Sequence, residues 1–294
     1  MLAVVSVRLG RAPARMTILS LTLVLGLVAL AAGFLGALTG LGGGVVIVPV
    51  LTLAFGIDIR YAVGASLISV IATSSGAASA YVREGYTNLR IGMLLEIATT
   101  LGALVGASLA TFISGRVIAV AFGLVLLYSA YVSARPRAPR AAGVEQPDPL
   151  ATRLRLDSSY PTPDGPRHYY VRHLPAGFGL MGVAGVLSGL LGIGSGAVKV
   201  LAMDQAMGLP FKVSTTTSNF MIGVTAAASA GVYLRRGYID PGLAMPVMLG
   251  VLAGSLLGAR VLAGAESRRL RVVFAVLVVA LAVEMIYSGL WGTV

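Results

Sequence analysis

Residues 40–58, GLGGGVVIVPVLTLAFGID, return at 192–210 as GIGSGAVKVLAMDQAMGLP. Glycine lowers helix propensity by about 1 kcal/mol per residue relative to alanine. Gly40-Leu41-Gly42-Gly43-Gly44 therefore breaks the apolar run before it, and Gly192-Ile193-Gly194-Ser195-Gly196 breaks a second one. After each break an apolar arm of only about 13 residues, roughly 20 Å of helix, precedes a loop signal, Asp58 or Pro210. That is short of the ~30 Å hydrocarbon core of a bilayer. Each pair reads as a discontinuous helix or a re-entrant hairpin meeting near the midplane. Backbone freed in this way is tolerated in lipid where it is buried in protein or lines a watery cavity.

The echo extends well beyond the glycines. Sliding the sequence over itself by 152 residues aligns 40–107 with 192–259 without a gap, and 19 of 68 positions are identical. Chance at this composition gives roughly six, so the chain is an internal duplication. Ser66 falls on Ser218, Tyr81, Arg83, Gly85 and Tyr86 fall on Tyr233, Arg235, Gly237 and Tyr238, and Gly102 and Gly106 fall on Gly254 and Gly258.

Of 294 residues, 57% are hydrophobic and 11% charged, against roughly 25% charged in a soluble domain, and the mean hydropathy is +0.90. Apolar blocks occupy 17–39, 45–57, 62–82, 91–113 and 117–134, then 175–191, 197–209, 213–234, 243–263 and 272–292. The expected fold is an all-α polytopic membrane protein of two repeats, each opening with a glycine-broken helix. Residues 1–16 form an N-terminal tail, 17–134 the first repeat, 135–174 a hydrophilic Arg/Pro-rich loop and 175–294 the second repeat. The loop holds seven prolines and reads as flexible. Arg8, Arg11 and Arg15 before an apolar run resemble a secretory signal. Cleavage there would remove part of the first repeat's opening helix, so 17–39 is taken as membrane structure.

Net charge is +11, with basic residues concentrated between hydrophobic blocks, where they mark cytoplasmic loops rather than a nucleic-acid surface. There is no cysteine, and both histidines, His168 and His173, lie in the loop. Disulfides and thiolate chemistry are excluded, and no cofactor or metal site is expected.

Polar residues at membrane depth are the candidate site. Lys199 lies three residues beyond Gly196 and aligns with Ile47. An intramembrane lysine marks a functional site by default, yet it could also snorkel or pair with Asp204. Thr215, Thr216, Thr217, Ser218 and Asn219 open the next helix, as caps or as one wall of a cavity. Glu96 and Glu284 could relay protons or pair with an arginine. The glycine clusters offer helix N-termini suited to an anion, or they allow close packing, the reading preferred for Gly102/Gly106 and Gly254/Gly258.

Taken together, GLGGG at 40–44, GIGSG at 192–196, the helix starts AVGASLIS and KVSTTTSNF, and the turns YVREGY and YLRRGY resemble the sulfite exporter TauE/SafE family of membrane permeases. The resemblance covers nearly all of the chain outside the tail and the central loop. It implies transport of small anions, sulfite or organosulfonates. It makes Gly40, Gly42, Gly43, Gly44, Pro49, Ser66, Gly192, Gly194, Ser195, Gly196, Ser218 and Asn219 candidate site residues, beside Lys199 and Thr217. The halves differ where Leu201 matches Pro49 and Ser195 replaces a glycine.

Charge alone leaves the topology open. An even number of crossings per half with the N-terminus inside, or an odd number with it outside, each places fourteen basic residues inside and seven outside. Odd crossings make the repeats inverted, the preferred reading. The expected function is a secondary permease in a bacterial inner membrane, with a small anion and the lipid bilayer as partners and no nucleic acid. A homodimer through the GxxxG faces is possible. An anion channel is the alternative, and an intramembrane Ser–Lys enzyme is a weaker third reading.

Overall fold

The structure, a computed structural model, describes residues 4–9, 12–39, 44–83, 85–134, 148–162, 165–194, 196–262 and 267–292. All ten apolar blocks are helical. The first five are α1 (Ile18–Thr39), α2 (Gly44–Pro49, continued as a π-helical turn over Val50–Ala54), α3 (Ile59–Arg83), α4 (Leu89–Leu109) and α5 (Gly115–Ala134). A short α6 (Pro149–Arg153) follows. The remaining five are α7 (Leu174–Leu191), α8 (Gly196–Leu201, with a π turn over Ala202–Ala206), α9 (Phe211–Arg235), α10 (Pro241–Leu262) and α11 (Ser267–Trp291). Three of the described helices have spans long and apolar enough to cross a membrane: Leu89–Leu109, Leu174–Leu191 and Pro241–Gly258.

The helices interlock across the sequence. Gly250 packs on Gly26 and Gly254 on Leu30 and Phe34, so α1 and α10 run parallel. Gly185 meets Thr99 and Gly189 meets Ala103, so α4 and α7 run parallel too. In contrast, Gly64 abuts Tyr238, just beyond α9, whereas Gly223 abuts Ser74, so α3 and α9 are antiparallel. Gly289 lies on Arg116 and Gly123 on Ala282, which makes α5 and α11 antiparallel. A methyl group added at Gly102, Gly106 or Gly254 would overlap a neighbouring carbonyl. Gly102, Gly106 and Gly254 therefore serve contacts within the chain, the close packing preferred for them from the sequence.

Large apolar side chains cover much of the bundle's exterior, and many of its hydroxyls face inward. Leu23, Leu27, Ile97 and Leu101 are each more than half exposed, whereas Ser66, Ser69, Thr99, Thr217, Thr225 and Ser229 are buried. A broad apolar exterior is what a lipid solvent requires.

Two departures from the sequence reading concern the polar segments. First, the fold is not purely helical: β1 (Val4–Leu9) pairs antiparallel with β2 (Ala12–Thr17), and β3 (Ser158–Thr162) with β4 (Gly165–Tyr169). Second, the described part of the central loop is folded and docked. Asp148 caps α6 by accepting from the Leu150 N–H at 2.8 Å, and its other oxygen accepts from the Leu174 N–H at 2.9 Å. Leu156, Tyr169 and Val171 are buried in one cluster with Ile91, Met207 and Val213. A few apolar side chains spaced among prolines suffice for this, and composition averaged over forty residues hides them.

Candidate functional site

The site begins where α7 stops. Gly192 (φ +68°) and Gly194 (φ +70°) occupy the left-handed region, which side chains rarely adopt, and turn the chain into α8. The Gly192 carbonyl accepts a 2.8 Å hydrogen bond from Ser66 Oγ on α3. Gly44 packs against that same hydroxyl, since a Cβ there would stand 2.6 Å from Ser66 Oγ. Ser66, Gly44 and Gly192, from both halves of the sequence, thus meet at one point. Gly196 opens α8 and its carbonyl lies 3.4 Å from Ser218 Oγ. Gly40, Gly42, Gly43 and Ser195 lie outside the described residues.

Pro49 is buried at the end of α2, where its missing N–H leads into the π turn. Leu201 precedes an equivalent π turn, so that widening does not require a proline.

Lys199 is completely buried on α8. Its Nζ donates to Thr225 Oγ1 on α9 at 2.6 Å, and not to Asp204. The Thr225 hydroxyl stands 2.7 Å from Glu96 Oε1 on α4 and 3.0 Å from the Met221 carbonyl. Thr100 Oγ1 donates to the same Glu96 oxygen at 3.1 Å. Glu96 is buried, and its Oε2 has no hydrogen-bond partner among the described residues. An ammonium has three N–H donors, and only the one directed at Thr225 is engaged among the described residues. The cation facing Glu96 is a lysine, where the sequence reading had considered an arginine. Glu284 is exposed on α11, a helix that packs chiefly on α5, and it does not join this cluster.

The polar helix start divides into separate roles. Thr215 and Thr216 donate to carbonyls of their own helix, Phe211 and Lys212. Thr217 is fully buried and accepts the Asn88 backbone N–H at 3.1 Å. Asn219 is half-buried. Asn88 caps α4 through Ile91 N–H and also donates to the Leu156 carbonyl and Tyr169 Oη, tying the central loop to the helix that bears Glu96. Burial pushes the Tyr169 phenol up, and the Leu174 and Leu150 N–H groups hold the Asp148 carboxyl below the usual carboxylate range.

Sequence reasoning missed Thr225, Thr100 and Asn88. Thr225 had a signal, because it falls on the identical Thr73 under the 152-residue shift. Asn88 had one too, as an N-cap residue before an apolar run. The cluster is not duplicated: Ile47, Thr73 and Met248 align with Lys199, Thr225 and Glu96, and among the described residues Thr73 bonds to Ser69 and Val70 of its own helix. No group of three or more metal-ligating side chains occurs among the described residues.

A helical bundle with an apolar exterior, and a lysine and a carboxylate buried near the left-handed glycines Gly192 and Gly194, has the build of a membrane transport protein. The sequence profile of the sulfite exporter TauE/SafE family matches residues 25–285, and the chain belongs to that family. It is 26% identical over 281 residues to the "Probable membrane transporter protein YunE" of Bacillus subtilis, covering 92% of this chain and 97% of that one. A second Bacillus subtilis relative, the "Probable membrane transporter protein YdhB", is 28% identical over 240 residues, 81% of this chain and 87% of its own. A "Probable membrane transporter protein" of Xylella fastidiosa is 26% identical over 282 residues, 95% and 99% of the two chains. No solved structure matches the chain.

Proposed function

We propose that this protein is a secondary permease for a small anion of the sulfite or organosulfonate class, with Lys199 as the anion contact. The observation that carries the reading is a fully buried ammonium with a single hydrogen-bond partner among the described residues, set beside the break at Gly192 and Gly194. A buried charge is costly unless a partner of opposite sign is available, and the cost suits a transient anion. The family's description names sulfite, which supports the substrate class. Complete burial of Lys199 favours a carrier, closed in this conformation, over an open anion channel. The relatives' names support a transporter rather than an enzyme.

The transport cycle we propose is alternating access between two inverted repeats, 17–134 and 175–294, with the broken helices meeting near the midplane. Helices α3 and α9 have identical lengths and start 152 residues apart, as do α2 and α8. Equivalent helices that run antiparallel, α3 with α9 and α5 with α11, support inversion. Five legs per repeat then place the central loop inside a bacterial inner membrane and the N-terminus outside, the odd-crossing arrangement, which also satisfies the charge bias.

Flux of labelled sulfite and methanesulfonate into proteoliposomes tests the reading. Saturable flux with counterflow is expected. Non-saturating flux without counterflow would favour a channel, and no flux of either anion would overturn the anion reading.

A further inference from the structure

The buried cluster at Lys199 is balanced in charge but incompletely bonded. Thr225 and Thr100 both address Glu96 Oε1, while Oε2 is buried without a partner among the described residues. An ionised carboxylate oxygen in that state is unfavourable, whereas a protonated carboxyl needs fewer donors.

Among the described residues no other charge is placed to compensate. Helix α7, packed along α4, has no ionisable side chain between Leu174 and Leu191. Helix α9 carries Lys212 and Arg235 at its two ends. On the arm of Lys199, Asp204 is half-buried and has a polar interaction of its own. Arg90, Arg155 and Tyr169 gather at the start of α4, about two turns from Glu96. Glu96 and Lys199 therefore answer to each other.

Net charge in a low-dielectric interior is strongly disfavoured. An anion arriving at Lys199 adds a second negative charge beside one positive charge. Neutrality returns when Glu96 takes a proton. We propose, resting on the permease reading above, that Glu96 is the resident counter-anion of Lys199, exchanged for a monovalent substrate anion as Glu96 is protonated, so that one proton crosses with each anion. An O–H bond forms at Glu96 Oε2 with a proton from hydronium on the open side. Release on the opposite side breaks that bond, returns the proton to water and restores the pairing through Thr225. Because Ile47 and Met248 occupy the aligned positions, one such site serves each chain.

Methanesulfonate is the probe, because its sulfonate stays ionised between about pH 5 and 9 and every proton counted then belongs to the protein. Calorimetric titration of the full-length wild-type protein, in two buffers of different ionisation enthalpy, should show uptake of about one proton per anion bound. Affinity should fall by up to about tenfold per pH unit on the alkaline side. Glu96→Gln should bind without proton uptake and with a flat pH profile. Binding to wild type without proton uptake, or with equal uptake in Glu96→Gln, overturns the proposal and leaves the permease standing. No binding of methanesulfonate, sulfite or sulfate by wild type removes the permease reading and the proposal together. The wild-type proton count decides the matter even if Glu96→Gln does not fold.

Discussion

Lys199 and Glu96 meet through the Thr225 hydroxyl, 2.6 Å from Nζ and 2.7 Å from Oε1, rather than as a direct ion pair. A directly bonded buried pair would satisfy both charges and leave little reason to exchange partners. An interposed hydroxyl holds the charges near each other, and among the described residues it is the one partner of the Lys199 ammonium. The three groups come from α8, α9 and α4, so any motion of the α8 arm relative to the other two changes their geometry.

Replacing the bridge separates its bonding from its bulk. Thr225→Val keeps the shape and removes the oxygen, leaving Lys199 and Glu96 each short of a partner. A loss of about 1–3 kcal/mol in stability is expected, with Thr225→Ser close to wild type. Thermal unfolding in detergent checks both, and equal stability of the valine variant would show that the hydroxyl contributes nothing.

Removing the charge alone should be felt through its partner. Lys199→Met is expected to abolish saturable sulfite binding and to destabilise the protein, because Glu96 remains buried without its cation. The double variant Lys199→Met with Glu96→Gln should recover most of that stability, a coupling of about 1–3 kcal/mol. Additive unfolding temperatures would mean that the two residues do not sense each other.

The helix break has a control elsewhere in the chain. Gly192 and Gly85 both have positive φ, +68° and +75°, yet a Cβ at Gly192 would lie 2.7 Å from Val63 Cγ1 whereas nothing lies within 4 Å at Gly85. Gly85→Ala should therefore cost only backbone strain, about 1 kcal/mol, and Gly192→Ala more than that, about 2–3 kcal/mol. Comparable unfolding temperatures for the two variants would count against close packing at the break.

Asp148 predicts an acid-sensitive loop. Backbone N–H groups of Leu174 and Leu150 stabilise the ionised carboxyl and lower its pKa in the folded state. Its contribution is thus fully present above the unfolded value, about 3.9, and is lost as pH falls through the lower folded value. Protection of the 148–171 amides, exchange measured relative to the intrinsic rate at each pH, should be steady from neutral pH to about pH 5 and fall below about pH 4. Asp148→Asn should already exchange faster at neutral pH, and unchanged protection in that variant would remove Asp148 as the anchor.

Much of the fold was legible because lipid makes simple demands on a chain. Ten apolar blocks became ten helical segments, and the glycines at 192 and 194 ended α7 as their propensity requires. Lys199 stood out because a lysine in an apolar run has no cheap structural explanation. The described part of the central loop was misread, since Leu156, Tyr169 and Val171 are too sparse to give a periodic signal and find partners far off in the sequence, Ile91, Met207 and Val213 among them.

The sequence by itself determined that the chain is a helical membrane protein and that α7 ends at Gly192, because hydropathy and glycine propensity act locally. It could not choose between the two topologies, since both distribute the basic residues equally. Only the tertiary structure decided that Gly64 packs on Tyr238 while Gly223 packs on Ser74, which runs α3 against α9. Only it decided that Lys199 answers to Glu96 through Thr225, rather than to Asp204 five residues away. Residues on α8, α9 and α4 are brought together by ridges and small-residue contacts between helices, and no local propensity records which helix will lie beside which.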